Sequence, residues 1–429
     1  MSWKRIACTG TSPSPRIAHS LNVIKGKAYV FGGYANQELD DFYMLDLETM
    51  VWTQIEPRGT PPERRNNHAS AVHDSCLYIH GGYDGVDWLD DMYVYDTKKK
   101  SWTKLHFNKH MPSKRACHTL SCVDDKIFLF GGYDGQKHFN DVECFDIKTK
   151  TWEKIETGNP VPIPRHQHSM AEWGKKLVLY AGVGSYDPMG PHFLDDFWIF
   201  DTEKLCWEQI YIRGVQPIGF KNHTGNIIGD KMYIYGGFGP DSGTNELSKE
   251  IKVCDLTRRI WIDTIELKDV PVIMTHKSCN YGSKEILYFG GFTKPNKWLN
   301  DVFILNTANI EKDSPGSIEP SNPEENKRET PSRKSLKRKL TGPSSYKKKK
   351  ELDKAFIEKT LSRNFCSGIY KVMKKCHPEL GITKEAMKIA NSFIDGCYEL
   401  ILSHVKNQIA LHKSNTLEIK HIESAIKAT

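Results

Sequence analysis

No run of about 18 apolar residues occurs in the 429-residue sequence, so no segment is long and apolar enough to cross a bilayer as a helix. The opening MSWKRIACTG lacks the long apolar core of a secretory leader. The eleven cysteines are odd in number and contain no C-x-x-C pair. That argues against a disulfide framework and a zinc ribbon, and reduced thiols in an intracellular compartment are the simpler expectation. Excess positive charge is missing from most of the chain. The net charge is +7, yet the first 325 residues carry −6. Residues 326–350 hold eleven Lys/Arg against one acid, and 351–429 hold twelve against nine. Such a split suggests a polyanion-binding tail on a near-neutral body. The length exceeds one ordinary core and predicts two or more units.

What is present in the first three hundred residues is a repeat. Glycine pairs fall at Gly32-Gly33, Gly81-Gly82, Gly131-Gly132, Gly236-Gly237 and Gly290-Gly291, with a degenerate copy at Ala181-Gly182. Tryptophans keep step at Trp3, Trp52, Trp102, Trp152, Trp207 and Trp261. Between each pair and its tryptophan lies a third element: DDFYMLD, DDMYVYD, NDVECFD, DDFWIFD, KEIKVCD or NDVFILN. The runs KAYVFGGY, CLYIHGGY and KIFLFGGY alternate β-branched and aromatic residues and stop at glycines, as strands do. A period near fifty residues with about four short strands per copy marks a propeller blade.

The double glycine, the spaced tyrosine and the tryptophan resemble the kelch family over residues 1–309. The resemblance implies an all-β propeller and says little about function. Trp3 precedes the first glycine pair, and no tryptophan of this register follows the last. The strand around Trp3 is therefore expected to complete the blade that begins near Ser278, closing a ring of six.

No constellation in the repeat requires catalysis, and neither a cofactor nor a metal is expected. An R-x-x-H element recurs as Arg16/His19, Arg65/His68, Arg115/His118 and Arg165/His168, degrading to Lys221/His223 and a bare His276. One histidine per repeat is spread round a ring, so each is read as capping a strand start rather than binding metal. The arginines either pair with Asp on a neighbouring blade or face a ligand. Arg16, Arg65, Arg115 and Arg165 thus join Tyr34, Tyr83, Trp88, Tyr133, His138, Tyr186 and Trp298 as candidates for a ligand face for an unknown protein or peptide. The resemblance implies that kelch domains bind partners there; aromatics and arginines suit such a surface.

Residues 310–350 are rich in Pro, Ser, Glu and Lys and poor in aromatics, a composition that predicts a disordered linker, basic from about 326. Lys327-Arg328 and Lys337-Arg338-Lys339 read as nuclear import clusters, and Lys347, Lys348, Lys349 and Lys350 as a phosphate-contacting run.

Residues 351–429 turn helical. A long helix beginning near Thr383 presents Ala386, Ala390, Phe393, Ile394, Cys397, Ile401, Val405 and Ile409 on one face. A short one follows Asn415-Thr416, with Ile422 on its apolar side. Such an apolar face needs a partner. YKVMKKCHPELGITKEAMKIANSFIDGCYELI and HKSNTLEIKHIESAIKA resemble core histone 2B over about residues 365–429. The resemblance implies an all-α histone fold, without the family's last helix, that heterodimerises with a histone 2A-type protein. It also implies non-specific DNA phosphate contacts through Ile382, Thr383, Lys384, Lys413, Ser414, Asn415 and Thr416. Ser414 stands where the family carries a minor-groove arginine.

The sequence therefore predicts a multidomain, non-enzymatic nuclear protein. It joins a six-bladed kelch propeller to a disordered basic linker and a histone 2B-like fold, and associates with chromatin. Three alternatives stay open: a histone chaperone or transcription-factor-type histone-fold subunit, a kelch substrate adaptor for ubiquitin ligation, and an enzyme with a metal in the propeller centre.

Overall fold

The computed structural model describes residues 2–308, apart from 186–190, 215–216, 218, 240–249, 267–270 and 294–296. The expectations placed on Tyr186, on the linker at 310–350 with its import clusters, and on the histone-like segment at 351–429 lie outside the described residues.

Six sheets of four or five strands are arranged as the blades of a propeller, antiparallel except where Thr9–Gly10 adds parallel to the outer strand of the first. The first blade runs Ser20–Ile24, Lys27–Tyr34, Glu38–Asp46 and Val51–Gln54 from the centre outward. The second runs Ala69–His73, Cys76–Tyr83, Trp88–Asp96 and Ser101–Leu105. The third to fifth repeat this plan, with inner strands Thr119–Val123, Ser169–Trp173 and Thr224–Ile228. The sixth takes three strands from the end of the repeat region, Lys277–Tyr281, Glu285–Phe289 and Val302–Asn306. Its outermost strand is Ser2–Ile6, which pairs in register from Ser2↔Asn306 to Ile6↔Val302. Arg5 fastens the seam by a side-chain hydrogen bond to Asp301 at 2.8 Å. Inner strands of successive blades adjoin, and that of the sixth meets that of the first.

The second strand of a blade is buried almost throughout because each sheet is packed on both faces; Lys27–Tyr34 has six consecutive buried residues. Outer strands alternate, so Val51–Gln54 buries Trp52 alone. The core is therefore not one mass but six, each wedged between two blades. Leu21, Leu45 and Trp52 of the first blade pack with Leu287, Phe289 and Val302 of the sixth, for example. Between the first two blades Phe31 and Phe42 meet Leu77, Tyr93 and Trp102.

Each repeating tryptophan reaches backward to the residue just before the preceding blade's glycine pair. Trp52 lies 5.2 Å from Phe289, Trp102 5.5 Å from Phe31, and Trp207 4.9 Å from Phe130. Trp261 lies 6.0 Å from Tyr180, and Trp3 4.9 Å from Tyr235. In the second blade that residue is His80, 5.5 Å from Trp152. The period in the sequence is thus the period of blade-to-blade contact.

The glycine pair is where the backbones of two blades meet. At Gly81, φ is +62° and an added Cβ would lie 2.7 Å from the Arg115 carbonyl of the next blade. Ala181 holds the equivalent place in the fourth blade with φ +59° and is fully buried, a conformation an L-residue adopts at a cost. The described cysteines are all unpaired. Among the described residues no helix is long and apolar enough to cross a membrane.

Candidate functional site

The loops after the glycine pairs and the loops leading into the inner strands share one end of the propeller. The four repeating arginines lie there but do not face a ligand. Arg16, Arg65, Arg115 and Arg165 are all fully buried. Each makes a two-pronged ion pair: Arg16 to Asp41 at 2.5 and 2.8 Å, and Arg65 to Asp91 at 2.6 and 3.3 Å. Arg115 meets Asp141 at 2.7 and 2.9 Å, and Arg165 meets Asp196 at 2.7 Å through both prongs. Each also donates at 3.1 Å to the carbonyl at the first position of the glycine pair: Gly32, Gly81, Gly131 or Ala181. The aspartate belongs to the arginine's own blade, not to a neighbour. The arginine's backbone carbonyl, in contrast, accepts from the preceding blade, as when Gly33 N–H donates to Arg65 O at 2.9 Å. The residue is therefore a staple between blades. Burial pushes the Asp196 carboxyl up, but the Arg165 guanidinium outweighs it and holds the group below the usual carboxylate range.

The repeating histidines are structural and pack between blades; His168, His223 and His276 bond the hydroxyl that opens the preceding blade's inner strand, rather than capping their own. Each lies edge or tilted against the residue just before the preceding blade's glycine pair. His19 packs on Phe289 at 5.3 Å, His68 on Phe31 at 5.5 Å, His168 on Phe130 at 5.3 Å and His223 on Tyr180 at 5.5 Å. His118 meets His80, with Nε2 3.1 Å from Nδ1. His276 meets Tyr235 at 5.7 Å. Burial depresses all of these imidazoles, His223 to about 4 and His276 and His80 to about 3, so they are neutral at pH 7. Among the described residues, no three or more His, Cys, Asp or Glu converge to hold a metal ion.

Four of the expected face residues do come together, and His166 extends them. Trp88 packs on Tyr83 at 5.0 Å and meets Tyr133 edge-on at 6.4 Å. Tyr133 lies 5.0 Å from His138 and stacks on His166 at 5.4 Å. The strip runs across the second, third and fourth blades, and all five side chains are half-buried. It is built stiffly. Asp84 Oδ1 accepts from Val86 and Asp87 N–H at 2.8 and 2.7 Å, Asp134 Oδ1 accepts from Gln136 and Lys137 N–H at 2.9 and 2.8 Å, and Tyr133 Oη donates to Gly135 O at 2.7 Å. Burial pushes His166 down to about 4 and lowers His138 as well, so the two imidazoles act as neutral rings. Val86 stands beside the strip, exposed. Tyr34 and Trp298 are not part of it: they meet each other, 5.6 Å apart, across the first and sixth blades. His166 escaped the sequence reading because it hides inside the R-x-x-H element, where the flanking residues hold the period.

A central channel runs past the inner strands, with a volume of about 500 Å³. Its mouth at this end is framed by backbone. Asn67 N–H donates to Ala18 O, Cys117 to Asn67, Gln167 to Cys117, Asn222 to Gln167, Thr275 to Asn222, and Ala18 to Thr275, at 2.9 to 3.3 Å. One residue from each blade thus forms a closed circle of six hydrogen bonds. All six have φ between +52° and +58°, though none is glycine. The strain of that conformation is offset by satisfying twelve backbone groups that would otherwise crowd the axis unpaired.

The fold and these sites define a kelch-type propeller. A profile described as the KLHDC2/KLHL20/DRC7 Kelch-repeats domain matches residues 1–132, 74–237 and 118–328 in overlapping copies. These cover three quarters of the sequence, and the chain belongs to that family. A solved structure titled "Structure of YjhT" is similar, with a TM-score of 0.56 and 20% sequence identity over 70% of this chain and 97% of that one. At that identity the likeness concerns the fold.

Proposed function

We propose that the propeller is a protein-docking module rather than an enzyme, and that its partner seats on the strip formed by Tyr83, Trp88, Tyr133, His138 and His166. The observation that carries this reading is a continuous run of half-buried rings spanning three blades, held by turn hydrogen bonds and free of charge. Rigid aromatic side chains lose little entropy when a partner covers them, and such residues dominate binding energy at interfaces. Membership of the kelch family favours the same reading. It makes an adaptor that presents a bound protein to a ubiquitin ligase the best-supported role for the chain.

The experiment compares full-length wild type with the Trp88→Ala/Tyr133→Ala variant in affinity capture from one lysate, followed by binary titration of each purified candidate. The variant is expected to bind the partner at least about tenfold more weakly. Equal recovery and equal affinity would refute the site.

A second reading rests on the resemblance of residues 365–429 to core histone 2B and on the basic run before it. In that reading the chain is nuclear, pairs with a histone 2A-type protein, and brings the propeller's partner to chromatin or holds the histone as a chaperone. Full-length protein co-expressed with a histone 2A-type protein should then elute as a one-to-one complex by light scattering. Elution as separate species removes this reading and leaves the docking face untouched.

A further inference from the structure

The first residue of each inner strand faces the repeating histidine of the next blade. It is a hydroxyl in four blades, and in three of them the histidine is satisfied by it; Ser20 of the first blade leaves both ring nitrogens of His68 without a partner among the described residues. Thr119 Oγ1 lies 3.0 Å from His168 Nε2, Ser169 Oγ 3.0 Å from His223 Nε2, and Thr224 Oγ1 2.9 Å from His276 Nε2. In the sixth blade this position is Lys277. Its neighbour His19 is fully buried, and neither ring nitrogen has a hydrogen-bond partner among the described residues.

Lys277 and His19 both line the central channel. Lys277 also lines the narrower space behind the ring of six hydrogen bonds, with Cys117, Asn222 and Thr275. The Lys277 side chain is half-buried. It forms no ion pair or hydrogen bond among the described residues. Glu172, the acidic side chain of the channel wall, sits three residues into its own strand, where it accepts from Cys122 N–H at 3.1 Å. Desolvation lowers the Lys277 ammonium, with Cys117 opposing weakly, so the site as it stands penalises its own charge.

The chemistry of the gap is specific. An ammonium is donor-only, and a neutral imidazole always has one N–H to give. Both side chains line the same channel, and a small acceptor-only ligand there could take a hydrogen bond from the ammonium and from the ring N–H together. We propose that a small anion, of the size of chloride or formate, binds in the channel between Lys277 Nζ and a ring N–H of His19. The anion does for the sixth blade what a hydroxyl does at Thr119, Ser169 and Thr224, and it neutralises a buried charge at the seam where the ring closes.

The test substitutes Lys277→Thr, which restores the residue type the chain already uses at this position in two other blades and should therefore fold. Thermal midpoints of full-length wild type and variant are read by tryptophan fluorescence at constant ionic strength, replacing sodium gluconate stepwise by chloride, formate or sulfate. The wild-type midpoint should rise and saturate with one or both small monoanions, by roughly 4 °C at a hundredfold excess over Kd. Chloride and formate compared separately distinguish a halide site from a carboxylate site. The variant should show no saturable rise. A wild type indifferent to both monoanions, or a variant that responds as the wild type does, overturns the proposal. Bromide-soaked crystals give a second, direct reading, with anomalous density expected between Lys277 and His19 in the wild type alone.

Discussion

Acidification should open this propeller, and the number of protons taken up can be worked from the structure. His19, His68, His80, His118, His168, His223 and His276 are each buried, and burial holds each imidazole below its ordinary value near 6.5. In the unfolded chain all seven titrate normally. A group whose folded pKa is depressed contributes stability that is whole above the unfolded value and lost as pH falls toward the folded one. At pH 5.5, one unit below the reference, roughly nine tenths of the unfolded imidazoles are charged and the folded ones are not. Unfolding there takes up about six protons, a slope of about 8 kcal/mol per pH unit. Between pH 7.5 and 5.5 the loss is about 9 kcal/mol, comparable with the whole stability of an ordinary domain. Desolvation pushes Glu143, Glu172 and Asp195 up, which works the other way but takes effect lower in the pH range. All ten tryptophans precede residue 309, so tryptophan fluorescence of the full chain reports on the propeller alone. Urea titrations at half-unit steps from pH 7.5 to 5 measure the slope. An uptake of fewer than two protons near pH 5.5 would refute the claim that the imidazoles are held neutral. His68→Phe should lower the uptake by about one.

Arg115→Ala strands the Asp141 carboxylate and the Gly131 carbonyl and should cost about 3 kcal/mol. Arg115→Met/Asp141→Leu should recover much of that loss in urea titrations; strict additivity of the single changes would count against the staple. Gly81→Ala forces a Cβ to 2.7 Å from a carbonyl and should destabilise by more than about 2 kcal/mol. Ala181→Gly relieves a left-handed alanine and should change the unfolding free energy little or raise it by up to about 1 kcal/mol; a loss beyond about 1 kcal/mol would contradict the strain.

The blade plan was legible in the sequence because the residues that set the period are the residues that touch between blades. Tryptophan, the aromatic before the glycine pair and the glycines themselves each repeat for one mechanical reason. The arginines were harder. Their aspartates were visible at a near-constant offset, Arg16 to Asp41 and Arg65 to Asp91, but a pair of periodic opposite charges does not say whether the partner lies in the same sheet or the next. Lys277 was hard to read for the opposite reason: it follows His276 as Thr119, Ser169 and Thr224 follow their histidines, but the sequence does not show that this position meets the histidine of the next blade. The left-handed residues at the channel mouth read Ala, Asn, Cys, Gln, Asn and Thr, with no glycine to announce the geometry.

That mouth has a further consequence. The six hydrogen bonds run in one rotational sense, each blade donating to the one before it. Dipoles placed head to tail around a circle cancel, so a rim made wholly of peptide groups presents almost no field along its axis, unlike a helix terminus where the same groups add. Charge selection at the entrance is left to the side chains just inside it. The circle is also shared property: no blade can swing outward without surrendering two of its links, so any widening has to be taken up by all six together.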